Sequence, residues 1–304
     1  MEANRSKWKK WVHESPLHLM MVPGIILLLI FSYGPMVGMV MAFERFNVTK
    51  GFFRSKWIGL DNFEFVLQIP DVRQVFWNTI FIALMKIVAS LIVPVCLALL
   101  LNELRAKYVK RGIQTIIYLP YFLSWVLLAG ILIDILSPSG GIVNQALGVF
   151  SIKPVFFLGN EKLFPYLLVV THVWKEAGFG TIIYLAALTG IDPTLYEAAI
   201  VDGASRWRQT WHITLPGIIP IVILMTVLSL GGILNAGFDQ VFNLYNPLVY
   251  STGDIIDTMV YRMGLIDNQY SIASAVGLFK SVVSVILILV SYKLADKYAG
   301  YKVL

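Results

Sequence analysis

The groups in this chain that could do chemistry are sparse and fall in two settings. In the first, single polar side chains interrupt long apolar runs: His172, Lys175 and Glu176 in HVWKEAGFGTIIYLAAL, Asp134 ahead of SPSGG, and Asn235 and Asp239 in LGGILNAGFDQ. Charged and amide groups are costly inside a bilayer and face protein or water there, so each is a candidate binding group. In the second, the polar helix-forming stretch YEAAIVDGASRWRQTWHITLP, Tyr196 to Pro216, stands between apolar runs. Neither setting offers covalent chemistry. No G-x-x-x-x-G-K-[ST] phosphate loop occurs, because Gly277-Leu278-Phe279-Lys280-Ser281 has the lysine and serine without the preceding glycine pair; HExxH and GxSxG are missing as well. Cys96, the one cysteine, excludes an intrachain disulfide and a cysteine metal cage.

The elements that must position these groups are transmembrane helices. Of 304 residues, 58% are hydrophobic and 14% charged, against about a quarter charged in an ordinary soluble domain. The apolar residues cluster in blocks of roughly 20, the length that crosses a bilayer. Six spans are expected, near 19–43, 78–101, 113–136, 164–188, 216–238 and 272–293. The start resembles a secretory signal, but its apolar run is long and no A-x-A site ends it, so it reads as an uncleaved first span. Lysine and arginine concentrate in the N-tail (Arg5, Lys7, Lys9, Lys10), the 102–112 turn (Arg105, Lys107, Lys110, Arg111), the 189–215 segment (Arg206, Arg208) and the C-tail (Lys293, Lys297, Lys302). That bias places both termini and the segment opened above in the cytoplasm, and flanking cations of this kind say nothing about nucleic acid. The opposite loops, WIGLDNF, SPSGGIVNQAL and NLYNPLVYSTGD, read as short ordered caps.

Asp192-Pro193 is a helix start, an N-cap acceptor followed by proline at the first helical position. A helix would run to Asp202, Gly203 would turn, and a second short helix from about Ser205 would lead through Leu215-Pro216 into the fifth span. Such a helix–turn–helix either presents its alanines and glycine to a partner as a lever or lies as a solvated connector against lipid headgroups.

The segment resembles the EAA signature of ABC-importer permeases: Glu197-Ala198-Ala199, then Asp202-Gly203-Ala204, then Ile213-Thr214-Leu215-Pro216. PGIILLLIFSYGPMVGMVMAF (23–43), WIGLDNF (57–63), Asn78-Thr79 and 172–188 extend the resemblance to the carbohydrate-uptake branch, near maltose-type and LplB-like permeases. The resemblance implies an all-α polytopic fold of six transmembrane helices: a cytoplasmic tail at 1–18, a permease domain at 19–293 with a coupling segment at 190–216, and a cytoplasmic tail at 294–304. It implies a non-catalytic subunit of a bacterial or archaeal inner membrane that forms half of a path for an oligosaccharide. Expected partners are a second permease, two ATP-binding subunits holding ATP and Mg, an extracytoplasmic solute-binding protein and lipid. Glu197, Ala198, Ala199, Asp202, Gly203, Ala204, Leu215 and Pro216 would couple to the ATPase.

Substrate would be lined by Tyr121, Trp125, His172, Glu176, Phe179, Asn235 and Asp239. Sugar hydroxyls suit amide and carboxyl partners, and sugar C–H faces suit aromatic rings. His172, Glu176 and Phe179 share one helical face, and Tyr121 and Trp125 are four apart on the third span. Each has a structural alternative: Lys175 and Glu176 as interhelical pairs, Tyr121 and Trp125 as packing, Asp239 as a solvated span end. Lys86 and Lys280 read as snorkelling or paired. The fifth span carries small or apolar residues where the maltose branch has amides, which leaves the sugar open; Lys175 or His172 could accept a carboxylate. Other cargoes on the same fold, or an ion-coupled secondary transporter, are the rival readings; the latter predicts inverted repeats, and none is evident.

Overall fold

The computed structural model describes residues 2–104 and 106–299; Met1, Arg105 and 300–304, including Lys302 of the expected C-terminal tail, lie outside the described residues, as do the side chains of Arg5, Lys7, Lys9, Lys10 and Lys297. The chain divides into two units, residues 1–68 with 263–278 and residues 69–262 with 279–304.

In the first unit, helix α1 (Glu2–Leu28) passes through a widened turn at Leu29–Tyr33 into a tighter helical stretch, Gly34–Phe43. The expected tail at 1–18 is thus helical from Glu2 onward. Pro35 lies at the start of the tighter stretch, where its missing N–H breaks the regular ladder. Strands β1 (Glu44–Arg45) and β2 (Lys56–Trp57) then pair antiparallel, Glu44 opposite Trp57, and α2 (Asp61–Gln68) follows. The buried Asn62 amide donates to the carbonyls of Ala42 and Glu44 at 2.8 and 3.0 Å, and Phe43 stacks on Trp57 with centroids 5.5 Å apart. The Phe46 N–H donates to the Ser271 hydroxyl at 2.9 Å. The WIGLDNF stretch, 57–63, runs from β2 through a turn at Gly59-Leu60 into α2.

The second unit opens with α3 (Pro70–Glu103), which has proline at its start and Asp71 in its first turn, both favourable there. Then come α4 (Lys107–Tyr118), α5 (Trp125–Leu136), α6 (Ile142–Val149), α7 (Phe164–Thr189), α8 (Pro193–Val201), α9 (Arg206–Gln209), α10 (Leu215–Leu230), α11 (Phe238–Leu244), α12 (Tyr250–Gly253) and α13 (Ile256–Tyr261). Helix α14 (Tyr270–Ala299) closes the described chain.

Four helical stretches among the described residues are long and apolar enough to cross a membrane: Glu14–Phe43, Pro70–Glu103, Arg206–Leu230 and Tyr270–Lys293. Two bent pairs, Lys107–Phe122 with Trp125–Leu136 and Phe164–Thr189 with Pro193–Val201, bring the number to as many as six when each pair is counted as one span. The expectation of a continuous third span is corrected: the chain bends by 107° after Phe122. Pro120 cannot donate to the ladder, and Ser124 restarts the helix by accepting the Leu127 N–H at 3.3 Å. The fifth span is also shorter than expected. Its helix stops at Leu230 rather than 238, and Gly231-Gly232 and a left-handed Gly237 (φ +88°) carry the chain through a turn.

Among the described residues, apolar clusters hold the unit. One joins Ile82 of α3, Leu132 of α5, Leu168 of α7 and Val241 of α11 with Val249 and Ile255. Another joins Ala98, Tyr184, Leu188 and Ile218. A polar knot ties 250–262 to α3. Asp254, 2% exposed, pairs with Arg262 and accepts from Thr258, while the Asn78 amide donates to the carbonyls of Ser251 and Asp254 at 3.1 and 3.3 Å. Burial disfavours the Arg262 charge, but the hydrogen bond and charge of Asp254 outweigh it and hold the guanidinium above its ordinary pKa.

Candidate functional site

The break in the third span and the middle of α7 build one cluster. Pro120, Tyr121 and Phe122 form a single tight turn after α4, and α7 brings Lys175 against it. Lys175 is 7% exposed, and its ammonium donates to the Tyr121 carbonyl at 2.8 Å. The same nitrogen lies 5.1 Å from the centre of the Tyr121 ring and 5.8 Å from that of Trp125, within cation–π reach of both. Tyr121 in turn stacks on Phe179, with centroids 4.5 Å apart and planes 7° from parallel. Glu176 is half-buried and 3.6 Å from the Lys175 ammonium, a loose pair. His172 is half-buried one turn before Glu176.

Tyr121, Trp125, Glu176 and Phe179 are therefore gathered around Lys175, with His172 on the same face of α7. Tyr121 and Trp125 do not share a helical face, because the break at Leu123-Ser124 separates them; Lys175 is what brings them together. Asn235 lies in the turn after α10 and Asp239 in the first turn of α11, and both are exposed. Asp134 is exposed near the end of α5.

Lys86 does not line this cluster. At 4% exposed, it donates to the Ala236 carbonyl and the Gln240 side-chain oxygen. The Gln240 amide donates at 2.7 Å to both the Leu168 carbonyl and the Thr171 hydroxyl. Three elements, α3, α7 and the turn leading into α11, are pinned through these two side chains. Lys280 pairs with Asp257.

The segment after α7 is a helix–turn–helix. Asp192 caps α8 by accepting the Thr194 N–H at 2.9 Å, and α8 turns 69° away from α7. Gly203 sits at φ +73°, the left-handed region that favours glycine, and the Ala204 N–H returns to the Ala199 carbonyl at 2.8 Å. Ser205 caps the short α9, which runs through a widened turn at Thr210–Thr214 directly into α10, with Leu215 and Pro216 at its start. No residue of α8 or α9 is buried. Glu197, Ala198, Asp202 and Gly203 are exposed with Ile200 and Val201, and Ala199 and Ala204 are half-buried. Two contacts brace the element: the Tyr196 hydroxyl meets that of Thr214 at 3.0 Å, and Arg206 pairs with Glu103 at the end of α3 at 2.7 Å.

Residues 90–299 match the family described as "Binding-protein-dependent transport system inner membrane component". The chain belongs to that family. This permease is 41% identical to the protein LplB of Bacillus subtilis (strain 168), over 97% of its own length and 90% of that relative's. It is 40% identical to the polygalacturonan/rhamnogalacturonan transport system permease protein YteP of the same organism, over 95% and 90%. A permease chain in the crystal structure of a bacterial ABC transporter involved in the import of the acidic polysaccharide alginate superposes with a TM-score of 0.89 at 38% identity, covering 96% of this chain and 99% of that one. A chain of the alginate transporter in complex with an alginate pentasaccharide-bound periplasmic protein gives 0.87 at 38%, over 95% and 97%. The fold is thus that of an ABC-importer permease, a multi-pass inner membrane component whose transport depends on a binding protein.

Sequence reasoning missed Gln240, Thr171 and Gly178 in this permease. Taking 216–238 as a span put Gln240 beyond the membrane, where a glutamine carries no signal. Gly178 is where α4 crosses α7: a Cβ there would lie 2.1 Å from the Ile117 carbonyl oxygen. A glycine inside an apolar helix was the available clue.

Proposed function

We propose that this permease forms half of the translocation path for an acidic oligosaccharide, delivered by an extracytoplasmic binding protein and driven by ATP hydrolysed in partner subunits. The carrying observation is the Lys175 cluster. A nearly buried ammonium whose direct acceptor is one backbone carbonyl, with a carboxylate 3.6 Å away, keeps donors to offer, and the Tyr121, Phe179 and Trp125 rings give a sugar apolar faces to stack on. The cation accounts for selectivity towards uronate carboxylates and the aromatics for that towards the pyranose ring. The polygalacturonan/rhamnogalacturonan and alginate importers among its relatives support the same substrate class.

In this reading Glu197, Ala198, Ala199, Asp202, Gly203, Ala204, Leu215 and Pro216 engage a nucleotide-binding subunit that holds ATP and Mg. This subunit is non-catalytic, both termini are cytoplasmic, and a second permease closes the other half of the path. Asn235 and Asp239 line its outer end. The test is uptake of labelled oligogalacturonate or oligoalginate by the assembled transporter in proteoliposomes, with neutral oligosaccharides, amino acids and phosphate as comparison. ATP-dependent uptake of the acidic sugars is expected; uptake of a non-sugar solute alone would reject the cargo, and uptake by this chain without ATPase subunits would reject the mechanism.

A further inference from the structure

Between Glu103 and Asp134 the sequence carries Arg105, Lys107, Lys110 and Arg111 and no acid. On α4, Lys107, Lys110, Arg111, Gln114 and Tyr118 follow one another at steps of three, one, three and four, which sets them on one face. Val109, Ile113 and Ile116 take the opposite face. Among the described residues Lys107, Lys110 and Arg111 make no ion pair.

The orientation of this helix is what gives the stripe meaning. Its apolar side is turned outward, with Tyr108 87% and Ile116 71% exposed. Lys110, Gln114 and Tyr118 are half-buried and Arg111 is exposed; α4 crosses α7 at Gly178, which faces the Ile117 carbonyl and the Tyr118 backbone. Lysines that only orient a protein in the membrane need no such face, because any position near the span end serves. The stripe also ends next to the Lys175 cluster: Tyr118 is three residues before Tyr121, whose carbonyl accepts from Lys175. From Lys110 to Tyr118 the helix rises about 12 Å, so donors repeat along a length greater than one sugar ring.

We propose that this face of α4 is a second binding segment of the path, a rail of Lys110, Arg111, Gln114 and Tyr118 that receives the carboxylates and hydroxyls of an acidic oligosaccharide as they leave Lys175. The proposal rests on the acidic-cargo reading above. An anionic chain released from one buried cation would otherwise have to regain its full hydration at once; the neutral donors Tyr118 and Gln114 followed by the adjacent cations Lys110 and Arg111 lower that barrier without holding any sugar unit tightly. Charge complementarity selects an anionic occupant, and continuity with Lys175 selects the cargo over a lipid headgroup.

The experiment compares the assembled transporter with its K110Q/R111Q variant in vesicles of phosphatidylcholine alone and in vesicles containing phosphatidylglycerol, using labelled trigalacturonate. Expected is a roughly fivefold or greater fall in uptake rate in both lipids, the scale of one or two partly screened ion pairs, with binding-protein affinity unchanged and the remaining rate less sensitive to added salt. The charge-conserving K110R/R111K variant should transport normally, which separates loss of charge from loss of folding. A defect confined to phosphatidylglycerol vesicles would assign the stripe to lipid and overturn the rail, as would unaltered uptake by K110Q/R111Q. If the unsubstituted transporter takes up no trigalacturonate, the cargo assignment itself fails, an outcome distinct from either.

Discussion

Lys175 and Tyr121 lie 54 positions apart in the chain and meet through a 2.8 Å hydrogen bond from the ammonium to the backbone carbonyl, with the nitrogen 5.1 Å from the centre of the same residue's ring. One side chain thus closes the broken third span onto α7 and fixes an aromatic face beside a cation. Replacing Lys175 by methionine keeps most of the apolar stem and removes the charge. Uptake of an acidic oligosaccharide should fall at least about tenfold, since a charge-assisted hydrogen bond contributes roughly 1.5–3 kcal/mol. Lys175→Arg should retain part of it. Initial rates in proteoliposomes, with complex assembly checked by co-purification, decide the matter; equal rates for methionine and lysine would remove Lys175 from the site.

The Tyr121–Phe179 stack makes a separate prediction. A near-parallel pair at 4.5 Å is worth about 0.5–1.5 kcal/mol beyond its buried area, so Tyr121→Phe should leave transport almost intact. Tyr121→Ala should raise the half-saturating concentration of the loaded binding protein or lower the maximal rate several-fold. If alanine and phenylalanine behave alike, the ring has no part in transport.

Lys86 and Gln240 should behave as one structural unit. Lys86→Met leaves the Ala236 carbonyl and the Gln240 side-chain oxygen without their donor, and each buried group so orphaned costs about 1–3 kcal/mol. A lower melting temperature of the detergent-purified assembly is expected, with any change of rate following from lost protein. Lys86→Gln restores a donor and should recover part of the loss. Unchanged stability in Lys86→Met with altered sugar selectivity would instead place Lys86 in the path.

How much of this could be read beforehand follows from which residues interact locally. The helix–turn–helix was legible because Asp192, Pro193, Gly203 and Ser205 act on their own neighbours, and their roles travel with residue type. The face shared by His172, Glu176 and Phe179 was legible because α7 is unbroken. The bend at Leu123-Ser124 was not, although Pro120 was in plain view: a proline inside an apolar run kinks one span and ends another, and residue type does not say which. Gln240 was hidden by the early end of α10 at Leu230. Nothing in the spacing of Asp254 and Arg262, eight apart, announces an ion pair, because the chain between them is not one continuous helix.

Asp192 offers a pH test outside the membrane. Hydrogen bonding to the Thr194 backbone N–H and side chain favours the ionised carboxylate and holds its pKa below the ordinary value. A depressed folded-state pKa means that the cap's stabilisation is complete at neutral pH and is lost as the pH falls through that lowered value. Amide exchange at the start of α8, measured across the acidic range, should therefore accelerate at low pH beyond the chemical trend. Asp192→Asn keeps an acceptor and should abolish that dependence; identical profiles for the two proteins would show that the carboxylate does not hold the helix.

Gly203 separates the conformational need of the turn from its role toward a partner. A Cβ at this position would meet nothing within 4 Å in this chain, while φ is +73°, so Gly203→Ala should cost only about 1–2 kcal/mol of left-handed strain. Gly203→Asn, tolerated in that region, should cost less. If the turn seats in a nucleotide-binding subunit, added bulk there has a second effect that the isolated permease does not register. Gly203→Asp should insert normally and leave α8 and α10 folded, yet lower binding-protein-stimulated ATPase activity and uptake together by an order of magnitude or more. The comparison that decides is Asn against Asp, which differ little in size: a coupling defect in Asp with near-normal Asn assigns the loss to charge at a docked surface. Normal transport by Gly203→Asp would detach this turn from the ATPase altogether.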